Sequence, residues 1–527
     1  MPTTPGAIVL THRFRSYVTS ADNVSISAGD GNFRITDTGL AATIVLGNGD
    51  QAISATGTSN IIQIGDTTSW YGQSVITTGG FSQVTAGNGD VDVTANGDAN
   101  AITLGTGDDV VQAGSGIGDT IVLGNGDNTV TLTGSGNSIV VGNGDNLIQT
   151  GDGSSNAIVT GSGRNIIDAT GNWNTINLGA GTNIVRAGGA SNLAVFAGNG
   201  SQTVETSGNF NNIALGDGRM NVQATGSFNT ITIGTLAGTQ DHNTIVTGSY
   251  ATVTVLAGDN TVVAAGDGST IKLGNGVQNV DASGQFNIIR IGDTPSPGDE
   301  CGGGTNRDSG FRGWDNNESG RGEHGNEGFH GQGVTARLPN LDHGRSVVQT
   351  GAYAAVSAGD GSNTIVGTGG FDTITDGTGN DSIFLLSGTS AGFNTVILGN
   401  GTNTVFLTGS YNYVADGSGQ DTIWAGSGND LFNINAAGGN DTIFNFAASD
   451  SVDLAGLLAG MTLTPTTAGL AGVIAVSQQA DDRFGPGGQD TTLSVMGSSG
   501  TATITLAGYN AGGLAGLLAN GNLVLPS

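Results

Sequence analysis

Residues 120–146 read TIVLGNGDN, TVTLTGSGN and SIVVGNGDN, which are three consecutive copies of one nine-residue unit. The unit can be written G-x-G-x-[N/D]-x-[I/V]-x-[L/A/V], and near-copies continue in both directions with slips of a residue or two, as at 151–156. Alternate glycines suit a tight turn, and the alternation of Ile or Val with polar residues indicates a short strand with one buried side. A repeat of this kind is typical of a solenoid.

Strands of about four residues cannot bury their apolar side alone, so the units must stack. We expect two units to form one coil of about 18 residues, with a strand on either side of a thin core. Stacked coils then form two parallel sheets with a rise of roughly 4.8 Å per coil. The predicted fold class is all-β: a parallel β-roll or β-helix solenoid with a C-terminal β cap.

The composition agrees with a repeat protein and narrows the partners. The 527 residues include 96 glycines, 43 acidic residues and 14 basic residues, which give a net charge of −29. Nucleic acid is not an expected partner, because no basic stripe could displace its counterions. No segment has 18 continuous apolar residues, so no membrane span is predicted. Divalent cations are the expected counter-charge, and carboxylate oxygens suit Ca²⁺.

The repeat divides the chain into five predicted parts: an N-terminal segment at 1–25 that could be an anchor or partial cap, an Asn-rich solenoid at 26–292, a glycine-rich irregular insert at 293–347, a second roll at 348–446 whose copies more often carry Asp, and a C-terminal segment at 447–527. The insert contains His324, Glu327 and His330, but its glycines disfavour the helix that would align them. It is interpreted as a surface loop or a docking element.

The most regular copies come late in the chain, as GNDSI at 379–383, GQDTI at 419–423, GNDLF at 428–432 and GNDTI at 439–443. Over most of 26–292 and 348–446 the unit resembles the RTX nonapeptide G-G-x-G-x-D-x-U-x, the hemolysin-type calcium-binding repeat. The resemblance implies that the sixth-position Asp binds Ca²⁺ with turn carbonyls and an Asp of a neighbouring coil. Carried over by position, the implied calcium ligands are Asp109, Asp119, Asp372, Asp381, Asp421, Asp430 and Asp441, with Asp450 closing the last site.

The sixth position is Asn over much of the first 290 residues, namely at Asn60, Asn128, Asn137, Asn146, Asn165, Asn174, Asn183, Asn229, Asn260 and Asn287. Asn tolerates turns and can form neutral ladders that need no metal. We therefore predict a metal-independent N-terminal solenoid and a calcium-dependent C-terminal one. The alternative is that the late Asp residues only form turns. Asp127 and Asp145, at the fifth position, are interpreted as solvated turn residues.

The two ends bear on export. Met1–Leu10 has no basic leader before an apolar stretch, so no Sec signal peptide is predicted. Gln489–Val495 and Ala502–Gly508 look like cap strands, and the last residues resemble an uncleaved type I secretion signal. The expected location is therefore extracellular or on the cell surface, where calcium would fold a chain kept open in the cytoplasm.

These features favour a structural protein over an enzyme or a binding module. The expected function is self-assembly on the cell surface, as an S-layer subunit or a biofilm matrix fibre, stabilised by calcium. Its partners would be further copies of the chain and a cell-surface polysaccharide. An adhesin or glycan-binding protein is the alternative. A polysaccharide-active β-helix enzyme is less favoured, because the chain has no H-E-x-x-H and no Arg/Lys cluster. Arg13 and Arg15 could contact an anionic glycan or form a solvated charge pair.

Overall fold

The computed structural model describes residues 7–11, 15–67, 72–234, 242–276, 278–292, 329–330, 345–386, 392–435, 439–481, 483, 488–498 and 500–526. The chain divides into two compact units, residues 1–234 (unit 1) and 235–527 (unit 2). In both units short strands alternate between two sheets, called A and B. Turns that lead from sheet A to sheet B are the A-to-B turns, and the others are the B-to-A turns.

Unit 1 contains two sheets in which neighbouring strands are parallel. Sheet 1A consists of β1 (Ile8–Val9), β3 (Ser25–Ala28), β5 (Thr43–Leu46), β7 (Ile61–Ile64), β9 (Gln83–Thr85), β11 (Ala101–Thr103), β13 (Thr120–Leu123), β15 (Ser138–Val141), β17 (Ala157–Thr160), β19 (Thr175–Leu178), β21 (Ala194–Ala197), β23 (Asn212–Leu215) and β25 (Thr230–Ile233). Sheet 1B consists of β2 (Ser16–Thr19), β4 (Arg34–Asp37), β6 (Ala52–Ala55), β8 (Ser74–Thr78), β10 (Val91–Ala95), β12 (Val110–Gly114), β14 (Thr129–Leu132), β16 (Leu147–Gly151), β18 (Ile166–Ala169), β20 (Gly181–Gly188), β22 (Gly200–Thr206) and β24 (Met220–Ala224).

Unit 2 repeats this arrangement. Sheet 2A consists of β27 (Thr252–Ala257), β29 (Thr270–Asn275), β31 (Ile288–Ile291), β34 (Ala355–Ser357), β36 (Thr373–Thr375), β38 (Thr395–Ile397), β40 (Tyr413–Ala415), β42 (Leu431–Asn433), β44 (Ser451–Asp453) and β48 (Leu523–Val524). Sheet 2B consists of β26 (His242–Thr247), β28 (Asp259–Ala264), β30 (Gln278–Ala282), β32 (Phe329–His330), β33 (Arg345–Thr350), β35 (Ser362–Gly367), β37 (Ser382–Leu385), β39 (Thr404–Leu407), β41 (Thr422–Trp424), β43 (Asn440–Phe444), β45 (Ile474–Ala480), β46 (Gln489–Gly497) and β47 (Gly500–Ala507).

The core is built from columns of Ile and Val that repeat once per coil. Ile121 of β13 lies beside Ile139 of β15, one coil later, and both are fully buried. The next step, to Ile158, is slightly longer in sequence, and the step from Ile62 to Val84 is longer still, so the turns absorb the extra residues. Burying such a side chain contributes roughly 1.5–3 kcal/mol, repeated in every coil. The predicted parallel β-solenoid is confirmed.

The A-to-B turns explain the second glycine of each unit. Gly126 and Gly144 have φ values of 144° and 142°, a region that residues with a side chain rarely adopt. A Cβ atom on Gly144 would also overlap the carbonyl oxygen of Gly126 in the preceding coil. Stacked coils approach so closely here that only glycine fits.

The B-to-A turns contain a column of residues in the left-handed region, and in many coils that residue is aromatic. The aromatic members with positive φ are Phe81, Trp173, Phe210 and Phe228 in unit 1 and Tyr250, Phe286, Tyr353, Phe371, Phe393 and Tyr411 in unit 2. A side chain in this conformation costs roughly 1–2 kcal/mol. The rings offset this by stacking, since Phe371 lies 4.9 Å from Tyr353 and 5.0 Å from Phe393 between ring centroids.

Unit 2 includes the long insert and ends in a cap. Strand β31 pairs in register with β34, so the coil stack resumes after the insert. Strand β47 continues sheet 2B in parallel to β43, and β46 and β45 then add to it as antiparallel strands. Helices α1 (Thr467–Leu470) and α2 (Gly513–Ala519) accompany this C-terminal β cap, which the sequence predicts. Within the described residues no helix is long and apolar enough to cross a membrane.

Candidate functional site

A buried Asn or Asp just before the strand forms the candidate site in each turn. Its side-chain Oδ1 accepts a hydrogen bond from the backbone N–H of the corresponding residue one coil earlier. Asp119 N–H donates to Asn137 Oδ1 at 2.7 Å, and Asn137 N–H donates to Asn156 Oδ1 at 2.9 Å. Ladders of this kind run along both the A-to-B and the B-to-A turns, and they satisfy backbone donors that would otherwise be buried unpaired.

Asn completes its hydrogen bonding inside the turn. The Nδ2 group of Asn156 donates to the carbonyl oxygen of Gly153 at 2.9 Å, and that of Asn174 donates to Gly171 at 2.8 Å. Both side-chain atoms of Asn therefore have partners supplied by the protein. These Asn turns need no further ligand, whereas Asn363 of unit 2 is an exception because its buried Oδ1 lacks a hydrogen-bond partner.

Asp at the same position leaves one oxygen without a partner. Oδ1 keeps the ladder hydrogen bond, as from Asn403 N–H to Asp421 at 2.9 Å. Oδ2 replaces the amide group, which in the Asn turns donates to turn carbonyls, and a carboxylate oxygen cannot donate in its place. Among the implied ligands, the buried Oδ2 atoms without a hydrogen-bond partner belong to Asp109, Asp119, Asp372, Asp381, Asp421 and Asp441. An unpaired buried carboxylate costs several kcal/mol, so these atoms require a proton or a cation.

Two of the eight implied ligands differ from the others. Oδ2 of Asp430 accepts the N–H of Gly426 at 3.0 Å, and Oδ2 of Asp450 accepts the N–H of Ala447 at 2.8 Å. These turns supply a backbone donor to the second oxygen. Asp430 and Asp450 therefore depend less on an additional ligand than the other six do.

Burial raises the pKa of these carboxyls. Desolvation raises the pKa of Asp109 and Asp372 to about 7. It raises the pKa of Asp381, Asp441 and Asp450 to about 6. The pKa values of Asp119, Asp421 and Asp430 are raised for the same reason. Carboxyls with such pKa values exchange a proton for a cation near neutral pH.

In unit 2 the sequence analysis missed two further buried carboxyls, Asp376 and Asp416. They begin the segments DGTGND (376–381) and DGSGQD (416–421), and each follows a strand of sheet 2A. Both are only 7% exposed, and the Oδ2 atom of each lacks a partner. The available signal was the spacing D-G-x-G-x-D, in which Asp replaces the first aliphatic residue of the turn.

These two carboxyls form pairs with ladder carboxyls. Burial, and then the charge of Asp381, raises the pKa of Asp376 well above its ordinary value, while a protonated Asp376 can donate to Asp381 and so limits the rise in the pKa of Asp381. Burial raises the pKa of Asp416 to about 8, and the charges of Asp441 and Asp421 add to this effect. Asp376 and Asp416 therefore keep their protons to a higher pH than their partners Asp381 and Asp441 do.

The donor set of these turns consists of oxygens. Among the described residues no three His, Cys, Asp or Glu side chains form a cluster that could hold a metal ion by themselves. A cation here would therefore combine one or two carboxylates with turn carbonyls, a donor set that suits Ca²⁺ rather than a softer metal. The residues fit calcium in chemistry.

The remaining predicted residues lie elsewhere. Arg15 is exposed at the start of β2, and Arg13 lies outside the described residues, so the pair forms no described site. His324 and Glu327 also lie outside them. The sequence further contains GTSAG at 388–392, the spacing of a nucleophile elbow, but its first four residues lie outside the described residues.

Comparison of the chain with protein-family models, with curated proteins and with solved structures found no match.

Proposed function

We propose that this chain is a secreted, non-catalytic structural protein that self-assembles on the cell surface, as an S-layer subunit or a matrix fibre, and that calcium stabilises it. The observation that carries the proposal is the set of buried Asp Oδ2 atoms that lack a hydrogen-bond partner. Six of these atoms belong to the eight carboxylates that the RTX resemblance implies as calcium ligands.

Calcium would satisfy these atoms in a way that no protein group does. The ion takes six to eight oxygens, and each Asp turn offers a carboxylate beside several carbonyls. Asp376 with Asp381, and Asp416 with Asp441, add second carboxylates at the A-to-B edge of unit 2. The calcium-dependent part of the chain is therefore proposed to be this region of unit 2, with a smaller contribution from Asp109 and Asp119.

Charge and architecture support assembly and export. A net charge of −29 opposes contact between copies until cations neutralise it. Among the described strands, β45 pairs only with β46 and so lies at an edge of sheet 2B. Most of its side chains are exposed, so this edge could pair with another chain. Coupling of the folding of this region of unit 2 to calcium would leave that region less stable before export and stabilise it outside the cell.

The experiment compares wild type with the triple variant Asp381→Asn, Asp421→Asn, Asp441→Asn. We expect millimolar Ca²⁺ to raise the melting temperature of wild type by several degrees and to promote light scattering, with Mg²⁺ much weaker. The triple variant should fold in EDTA and respond clearly less to calcium than wild type, because Asn completes three of the turns by itself. Asp127→Asn with Asp145→Asn, which changes two exposed carboxylates, is the matched control. Equal responses of wild type and triple variant would refute the calcium assignment.

A further inference from the structure

The outward face of sheet 1A is free of charge although the chain is strongly acidic. Each strand of sheet 1A from β3 onward directs two side chains outward. These side chains align in two columns because neighbouring strands are parallel and in register. The first column is Ser25, Thr43, Ile61, Gln83, Ala101, Thr120, Ser138, Ala157, Thr175, Ala194, Asn212 and Thr230. The second is Ser27, Val45, Gln63, Thr85, Thr103, Val122, Val140, Val159, Asn177, Phe196, Ala214 and Thr232. None of these residues is ionisable.

The opposite face of the same unit differs. Sheet 1B directs Arg34, Asp92, Asp168, Arg186 and Glu205 outward, and Arg186 lies 3.6 Å from Asp168. The exposed carboxylates of the middle coils, such as Asp108, Asp127 and Asp145, lie in the A-to-B turns. Exposed carboxylates such as Asp98 and Asp152 also lie in the B-to-A turns. Charge is thus placed on the sheet 1B face and along both turn edges, and the sheet 1A face has none.

The uncharged face is also apolar at its centre. Val122, Val140 and Val159 occupy three successive positions of the second column, and each remains 36–39% exposed. Thr, Ser and Ala surround them, so the face consists of small or β-branched side chains of similar height. An exposed apolar strip bordered by neutral polar groups is typical of a protein interface.

We infer that the sheet 1A face of unit 1 pairs with the same face of a second copy of this chain. This inference rests on the proposed self-assembly and names the surface that performs it. Two copies with a net charge of −29 each repel one another least where neither carries charge, and face-to-face contact here buries no ion. A basic protein or a nucleic acid would gain nothing from a neutral face.

The size of the face agrees with this occupant. Twelve strands at about 4.8 Å, each about 13 Å wide, give an area of about 750 Å² per copy. Specific interfaces bury about 800 Å² per partner. β-sheets pack about 10 Å apart when small side chains interdigitate, and the Thr, Ser, Asn and Gln groups can hydrogen-bond across such an interface.

The test uses the full chain and separates this contact from calcium-driven assembly. Sedimentation is measured in EDTA with about 0.5 M NaCl, where screening removes most of the long-range repulsion. Wild type should form dimers. The double variant Val122→Asp, Val140→Asp should weaken the dimer at least about 100-fold, because it buries unpaired charge. The matched control Thr129→Asp, Thr131→Asp places the same charges outward on β14 of sheet 1B and should leave the dimer within about threefold of wild type.

A cysteine variant covers the case in which the Asp substitutions disturb folding. In a Cys301→Ser background, Val140→Cys should give an oxidised dimer, whereas Thr131→Cys should not. If both cysteines cross-link equally, or if the face and control Asp pairs weaken the dimer equally, the inference is wrong. Wild type that assembles with calcium but forms no dimer in salt refutes the inference and leaves the proposed function standing. Dimers in salt without any calcium response refute calcium-driven assembly alone.

Discussion

Asp416 occupies the buried position that Leu398 holds one coil earlier. Strands β38 and β40 pair with Ile397 beside Ala415, so the next residues, Leu398 and Asp416, fall in the same column of sheet 2A. Both are nearly fully buried, and Ile434 follows in the next coil. Asp376 holds the same position one coil before Leu398, since Thr375 pairs with Ile397. Two carboxyls therefore stand in a column that is otherwise aliphatic, which is unfavourable unless each is protonated or bound to a cation.

We predict that Asp416→Leu stabilises the metal-free chain and reduces its stabilisation by calcium. In EDTA at pH 7.5 the variant should be more stable than wild type, on the order of 2–4 kcal/mol, because it removes a buried carboxyl whose pKa is raised to about 8. The stabilisation by calcium should decrease. Urea denaturation would measure both effects. Leu398→Ala is the control and should lose about 2–5 kcal/mol with an unchanged calcium response. An Asp416→Leu variant that keeps the full calcium response would exclude Asp416 as a ligand.

The stability of metal-free unit 2 should fall as pH rises. Burial raises the pKa of Asp372 to about 7 and that of Asp416 to about 8, while the unfolded carboxyls titrate near 4. Above pH 4 the native state therefore binds more protons than the unfolded state, and stability is lost progressively up to about pH 8. Denaturation in EDTA at pH 5 and pH 7.5 would show the difference. Calcium should diminish it, because the ion replaces the proton. Greater stability at pH 7.5 than at pH 5 in EDTA would contradict this account.

Replacing Asn by Asp, or Asp by Asn, at a ladder position should change whether that turn needs a cation for its stability. Asn146 donates through Nδ2 to Asn165 Oδ1 at 2.8 Å, and Asn146→Asp removes that donor. The variant should lose about 1–3 kcal/mol in EDTA. Asp421→Asn should instead stabilise the metal-free chain and reduce its calcium response. Hydrogen exchange would show whether the loss of protection in EDTA concentrates near 372–450 and around Asp109 and Asp119. Uniform loss along the chain would refute the division.

Substitutions at Phe371, in the aromatic column of the B-to-A turns, should separate the stability gained from ring stacking from the cost of the left-handed backbone. Phe371 has a φ of 64° and stacks on Tyr353 and Phe393. Phe371→Ala should destabilise unit 2 by about 2 kcal/mol, because two ring contacts are lost and the left-handed backbone remains. Phe371→Gly should be less damaging by about 1 kcal/mol, because glycine adopts this conformation without strain. Thermal denaturation of both variants would decide, and equal losses would show that the left-handed backbone adds no strain at this position.

Much of the fold and part of the site could be predicted from local sequence. The nine-residue period alone indicates strands, turns and stacking, because alternation of Ile with Thr specifies one buried side and glycine specifies the turn. The sixth-position Asn and Asp residues, such as Asn137 and Asp421, could be identified as a column because each stands at a constant distance from its own strand. Their burial and their shared orientation follow from that spacing.

Which residues of different coils lie side by side could be seen only in the tertiary structure. Coils differ in length along the chain, and these lengths set which residues become neighbours, so the sequence alone does not place Asp416 beside Asp441 or Phe371 beside Phe393. The contrast between the neutral face of sheet 1A and the charged face of sheet 1B likewise emerges only when strands are aligned. The sequence by itself determined the repeating unit, because strand and turn preferences are local. The tertiary structure alone decided which carboxyls are paired and which oxygens lack a donor, because those depend on the register between coils.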